Sequence, residues 1–317
     1  MSNILKIDNV SKIYKNRNMK INAVNNVSLT IDYGKVLGII GESGSGKSTL
    51  AKMIIGLESI TEGNIFFEEK SVRQLLKNDK RYFRKSCQMI FQNPYESFDP
   101  LQTIFTSLYN VLKIYQKELN SSQQLEYCKE VLEKYGLVPA KDYLYRYPYE
   151  LSGGQLQRVA IIRAMLCNPK FLIADEAVSM LDVSVRADII NIFNDIVKEF
   201  NTSLLFISHD ILTTAYISDY IAVMYLGEVV EYGKTKEIVN NPLHPYTKAL
   251  ISCCGNLSDD IKVNLKYNAE NKDIFSLKNI KEKCAFYNRC NFSKQQCRCS
   301  KPMLKEVSLE HYVCCFL

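Results

Sequence analysis

No stretch of the sequence reaches the ~18 consecutive apolar residues of a membrane span, which argues against a protein with its own membrane-crossing segments. The first ten residues, Met1 to Val10, alternate polar and apolar and hold no apolar h-region. A secretory signal is therefore not expected, and residence in the cytoplasm is. Charge clustering is lacking too. A formal net charge of +6, from 40 basic and 34 acidic residues, is a mild imbalance. The lysines are scattered, which predicts a mixed, solvated surface and no nucleic-acid footprint. There is no internal repeat and no long low-complexity segment. Cysteine breaks this evenness: of eleven, six fall in the last 34 residues. In a compartment that keeps thiols reduced, such a skew is not expected to mean disulfides and needs its own explanation.

What is present is ample for a core. At 317 residues, 47% of them hydrophobic, the chain can hold one large or two modest domains. Residues 4–14 and 21–31 alternate in strand fashion, and residues 63–67 read as a further edge strand. Val36 to Ile40 is a short apolar strand entering a Gly-rich turn, followed by a helix over Thr49 to Leu57. From about 100 to 165 the patterns are helical, with Gln124 to Tyr135 the clearest. Phe171 to Ala174 and Leu204 to Ile207 read as buried strands, with a helix over Val183 to Phe200 between them. Ile221 to Tyr225 and Glu228 to Glu231 form an expected hairpin around Gly227. Apolar strands alternating with helices predict a doubly wound α/β core with a helical insertion. Residues 256–283 are polar, rich in Asn, Asp and Lys, and read as a linker.

Two segments carry the chemistry. Gly41-Glu42-Ser43-Gly44-Ser45-Gly46-Lys47-Ser48 fits the phosphate-loop pattern G-x-x-x-x-G-K-S/T between an expected strand and helix. Glycines let the backbone wrap phosphate oxygens, and the helix N-terminus adds its dipole. Gly41, Ser43, Gly44, Gly46, Lys47, Ser48 and Thr49 are the candidate nucleotide-binding set. Lys47 is expected to reach the β- and γ-phosphates, and the Ser48 hydroxyl to bind Mg²⁺. The apolar run Phe171 to Ala174 delivers Asp175 and Glu176 to a strand end. There Asp175 is expected to hold Mg²⁺, and Glu176 to polarise the attacking water.

A phosphate loop and two acids suit kinases, GTPases and many motors. Leu151-Ser152-Gly153-Gly154-Gln155, ahead of a helix that includes Gln157 and Arg158, is more selective: it resembles the signature of ABC ATPases. The resemblance implies a P-loop NTPase core of the ABC type, an N-terminal antiparallel β subdomain and a helical subdomain inserted at about 93–165. It implies that Ser152, Gly153, Gly154 and Gln155 of one subunit cap the γ-phosphate bound to another. Gln92 resembles the glutamine that senses the γ-phosphate and Mg²⁺. Asp182 resembles the D-loop aspartate at the dimer contact, His209 the switch histidine, and Tyr14 the aromatic that stacks on adenine. The pattern departs from the family at Ala177, where proline is usual, and at Met180, where a small residue is common.

Asn241-Pro242-Leu243-His244-Pro245-Tyr246-Thr247-Lys248-Ala249-Leu250 resembles the element that follows the core in ATPases of oligopeptide, dipeptide and nickel importers. Details around the signature and Val223 to Gly227 look more like the F-type subunit than its D-type partner. An ABC ATPase domain over 1–240 and an importer-type extension over 241–317 are expected. The implied function is ATP hydrolysis powering peptide uptake, with nickel or another small solute as alternative cargo and a soluble non-transport ABC ATPase as an alternative class. A regulatory subunit that turns ATP over slowly stays open because of Ala177. The implied partners are a second ATPase subunit of D type, two membrane permeases and, indirectly, an extracytoplasmic solute-binding protein, at the cytoplasmic face of the membrane. In the tail, Cys284, Cys290, Cys297 and Cys315, with Pro302 and His311, resemble a family cysteine motif that can hold a 4Fe–4S cluster. Free or redox-labile thiols and zinc remain open, and Cys299 and Cys314 blur the choice of four.

Overall fold

The computed structural model describes residues 3–16, 19–116, 118, 120–253 and 283–316. Its strands are β1 (Asn3–Asn16), β2 (Met19–Asp32), β3 (Val36–Ile40), β4 (Glu62–Phe67), β5 (Lys70–Ser71), β6 (Cys87–Ile90), β7 (Phe171–Asp175), β8 (Ser203–Ser208), β9 (Tyr220–Tyr225), β10 (Glu228–Lys234), β11 (Lys305–Ser308) and β12 (His311–Val313). Its helices are α1 (Lys47–Ile54), α2 (Val72–Asn78), α3 (Lys80–Ser86), α4 (Ile104–Tyr115), α5 (Ser121–Lys134), α6 (Lys141–Leu144), α7 (Gly153–Met165), α8 (Val183–Phe200), α9 (Ile211–Ile217), α10 (Thr235–Asn240), α11 (Pro245–Ser252) and α12 (Gln295–Cys299). The chain forms two compact units: Met1–Arg73 with Phe206–Leu317, and Gln74–Leu205. Strand β8 runs across the division.

In the first unit, β2, β1, β4 and β5 form an antiparallel sheet in that order. The β1–β2 ladder slips register between Ile7 and Val10 and again before Lys12, with Asn9 and Asn26 at positive φ. Asparagine tolerates that region better than most side chains, so the bulges fall where the sequence allows them. Strand β4 lies between β1 and the two-residue β5, so it is not the outermost strand that its pattern suggested. A second sheet of this unit runs β11-β12-β10-β9-β3. Strand β3 pairs parallel with β9 and is buried along its whole length, as its unbroken apolar run requires. The expected boundary at 240/241 lies inside this unit, where β12 pairs with β10. Phe286 and Cys284 join a core cluster with Ile221, Tyr225 and Tyr246.

In the second unit, β6 and β7 pair in parallel. Among the described residues no strand lies between Ile90 and Phe171; helices fill the interval. Helix α5 shows why this segment folds as it does. Asn120 caps its N-terminus with Gln123 closing a capping box, and Gln124, Cys128 and Leu132 form its buried stripe at four-residue spacing. Helix α8 is capped by Asp182 and ends at Asn201 in the left-handed region. It buries Ile189, Ile190, Ile192, Phe193 and Ile196, each worth about 2 kcal/mol of apolar burial as an upper bound. The segment 256–283, read as a linker, lies outside the described residues except for Lys283.

Candidate functional site

In the first unit, the expected phosphate loop forms the turn from β3 into α1. Gly41, Gly44 and Gly46 all take positive φ. Gly46 stands at +100°, and a Cβ there would sit 2.2 Å from the Ala23 carbonyl oxygen. Only glycine fits that position without moving backbone. Helix α1 starts at Lys47, two residues before the expected Thr49, because the left-handed Gly46 turns the chain straight into it. Lys47 is buried, and its Nζ donates to the carbonyls of Gly41 at 2.7 Å and Glu42 at 2.9 Å. The ammonium is thus held within the loop it is expected to serve. Ser43 is exposed, Ser48 and Thr49 half-buried.

Two further candidates belong to this unit. Tyr14, on β1, is 39% exposed, with the Lys12 ammonium 4.9 Å from its ring centroid. His209 follows the end of β8 and is exposed. The next residue, Asp210, caps α9 by accepting from the amides of Leu212 and Thr213.

In the second unit, β7 ends on Asp175, 5% exposed. Glu176 takes φ of +48°. That conformation costs a non-glycine residue roughly 1–2 kcal/mol, so the surrounding structure must hold it. Its Oε2 accepts from Gln92 Nε2 at 3.1 Å, and its carbonyl accepts from the Ser179 hydroxyl at 2.9 Å. The structure therefore brings together Gln92, Glu176 and Ser179, the last of which sequence reasoning missed. Ala177, where the family usually has proline, is 2% exposed, whereas Met180 is 65% exposed.

The signature has a local logic that ligand-based reading passed over. Ser152 Oγ accepts from the Gln155 amide, and Gln155 Oε1 accepts from the Ser152 amide, forming a capping box for α7. The S-x-x-Q spacing was the available signal. Gly154 lies against α8: a Cβ there would approach Val185 Cγ1 to 2.5 Å, while one at Gly153 would meet only Leu181 at 3.9 Å. Asp182 likewise has a structural duty. Its carboxylate accepts from the Val185 amide and the Ser184 hydroxyl, and these bonds hold its pKa below the usual carboxylate range.

The tail sorts its six thiols. Cys284, Cys290, Cys297 and Cys315 line one cavity with His244, Phe286 and Phe316. Cys314 is buried and donates to the Pro302 carbonyl, and Cys299 is exposed. Burial pushes the Cys284 thiol up to about 11 and raises Cys290 as well. The amides of Phe286 and Phe292 work against these shifts, and the neighbouring cysteines reinforce them. Cys297 Sγ accepts from the Lys294 amide. Four soft donors facing one apolar space, three of them met by backbone N–H groups, suit a thiolate-ligated group. Among the described residues, however, no group of three or more His, Cys, Asp or Glu is set to hold a single metal ion. No helix among them is long and apolar enough to cross a membrane.

Comparison with known proteins bears on the whole chain. The family described as ABC transporter matches residues 24–179, and that of the oligopeptide/dipeptide transporter C-terminal region matches residues 230–297. The oligopeptide transport ATP-binding protein OppF of Haemophilus influenzae is 38% identical over 98% of this chain and 93% of its own. The di/tripeptide transport ATP-binding protein DppF of Pseudomonas aeruginosa is 37% identical over 93% of this chain and 90% of its own. Among solved structures, a dimeric ATP-binding cassette in a post-hydrolysis state with ADP and Pi superposes with a TM-score of 0.66. It is 29% identical and covers 73% of this chain and 98% of its own. On these similarities over nearly its whole length, the chain belongs to the ABC ATPases, in the family of oligopeptide and dipeptide transport ATP-binding proteins.

Proposed function

We propose that this chain hydrolyses ATP to power the import of oligopeptides or dipeptides through membrane permeases, paired with a D-type ATPase subunit and served by an extracytoplasmic binding protein. The observation that carries the reading is Glu176: a carboxylate in a costly backbone conformation, directly after Asp175 and hydrogen-bonded to Gln92. Lys47 takes the β- and γ-phosphates, with Gly41, Ser43, Gly44, Gly46 and Thr49 supplying the cradle. Tyr14 stacks on adenine. Ser48, Gln92 and Asp175 offer oxygen donors, the right hardness for Mg²⁺. Gln92 spends its amide N–H on Glu176, so its carbonyl oxygen remains the end suited to a cation. Bound Mg²⁺ supplies charge neutralisation on the phosphates. Glu176 orients and polarises the attacking water, and His209 contacts the γ-phosphate. Ser152, Gly153, Gly154 and Gln155 cap the nucleotide of the partner subunit across an interface that includes Asp182. Positioning and electrostatics account for the chemistry.

Glu176→Gln tests the reading. In the assembled transporter this variant should still bind ATP, with turnover down by at least about two orders of magnitude. Near-normal turnover would place the base elsewhere.

A second reading concerns the tail. Cys284, Cys290, Cys297 and Cys315 ligate an iron–sulfur cluster, which supplies the cross-link that ties the extension together. Burial favours the neutral thiol at Cys284 and Cys290, so a bound metal group would have to displace those protons, and its binding energy would become folding energy. Iron and sulfide assay after anaerobic purification should find both. The cluster should survive Cys299→Ser and be lost in Cys290→Ser. Zinc in its place, or survival in Cys290→Ser, would reject this ligand set.

A further inference from the structure

Glu42, the second residue of the phosphate loop, is held at each of its polar groups. Its amide donates to the Tyr246 hydroxyl at 2.9 Å, and its carbonyl accepts from Lys47 Nζ at 2.9 Å. Its carboxylate accepts two parallel bonds from Arg289, at 2.8 and 2.9 Å. Tyr246 comes from α11, and Arg289 from the 3₁₀ turn Tyr287–Arg289 beside Cys290. Arg289 is itself fixed. It donates to the Tyr225 hydroxyl at 3.3 Å, and its guanidinium lies 5.5 Å and 5.9 Å from the ring centroids of Tyr225 and Phe286. Those two rings meet edge-on in the core.

The electrostatics give this arrangement a meaning. A carboxylate in a loop built for polyphosphate repels its ligand. A bidentate guanidinium cancels that charge and fixes the direction of the side chain. We infer that Arg289 is a positioning residue for nucleotide binding: it acts through Glu42, neutralising the loop's own carboxylate and locking its first turn. The Cys-rich extension thereby sets the affinity of the ATP site as well as completing the fold. This rests on reading Gly41 to Ser48 as an ATP-binding loop.

The test measures ATP dissociation constants on the full chain with Mg²⁺, for wild type, Arg289→Met, Glu42→Gln, the double variant and Lys47→Ala. Arg289→Met should weaken binding about fivefold, the low end for coupled sites because the ion pair is partly exposed. The double variant should bind more tightly than Arg289→Met alone, since the uncompensated carboxylate is gone. A purely structural role for Arg289 gives no such rescue. Wild-type affinity in Arg289→Met, or a double variant no better than it, would overturn the inference, provided Lys47→Ala loses ATP. Retention of affinity in Lys47→Ala would instead remove the ATP-loop reading and the inference with it. Should Arg289→Met fail to fold, hydrogen exchange of amides 41–48 in nucleotide-free Glu42→Gln decides. Faster exchange than wild type is expected, and unchanged exchange refutes the tie.

Discussion

His244 shows how one side chain can set a pH limit. It is 1% exposed, and its Nδ1 accepts from the Tyr246 amide at the start of α11. Burial lowers its pKa from 6.5 to about 3. Between those values the unfolded chain binds a proton that the folded chain refuses, so stability rises with pH across that window and is lost as pH falls through it. From pH 7 to pH 4 the loss is on the order of 3 kcal/mol. His244→Asn keeps a capping acceptor and removes the titration, so its denaturation midpoint should fall less over that range. Parallel pH profiles for the two proteins would refute this account. At this scale the sequence was legible in placement: Lys47 and Ser48 stand at the turn from β3 into α1, and Asp175 and Glu176 at the end of β7, as their motifs predict. It was silent on the positive φ of Glu176, because nothing in Asp-Glu-Ala marks a left-handed residue. It was silent too on the partner of Glu42, since Arg289 lies 247 positions away.

Elements that are buried on both faces announced themselves as unbroken apolar runs, which is why β3, β7 and β8 were expected within a residue or so of their observed ends. Strands β11 and β12 were not. Lys305–Ser308 is exposed throughout and His311–Val313 has three residues, so neither carries a periodic signal. The start of α7 was read for its ligands and not for its packing, and its two glycines separate those roles. Gly154→Ala drives a methyl into Val185, a stiff β-branched neighbour on α8, and should cost about 1–3 kcal/mol in a urea titration. Gly153→Ala meets no such obstacle and should stay within about 0.5 kcal/mol of wild type. Equal losses would show that α7 and α8 adjust to the added carbon and that the close approach is not limiting.

For the whole molecule, the proposed division of labour between chains is testable by dilution. One phosphate loop and one signature per chain, with the signature serving a partner's nucleotide, require a second subunit. The isolated chain should hydrolyse ATP slowly, with a specific activity that rises with protein concentration and rises further with a D-type partner and permeases. A constant specific activity, indifferent to partners, would contradict the shared site. The Arg289–Glu42 pair adds a matter of timing. Because 247 positions separate its ends, the ribosome needs roughly 10–50 s, at about 5–20 residues per second, to reach the second after making the first. Throughout that interval the nascent phosphate loop exists with its carboxylate uncancelled. With Arg289 acting as inferred, a chain still being made is a poorer trap for cellular ATP than the finished protein.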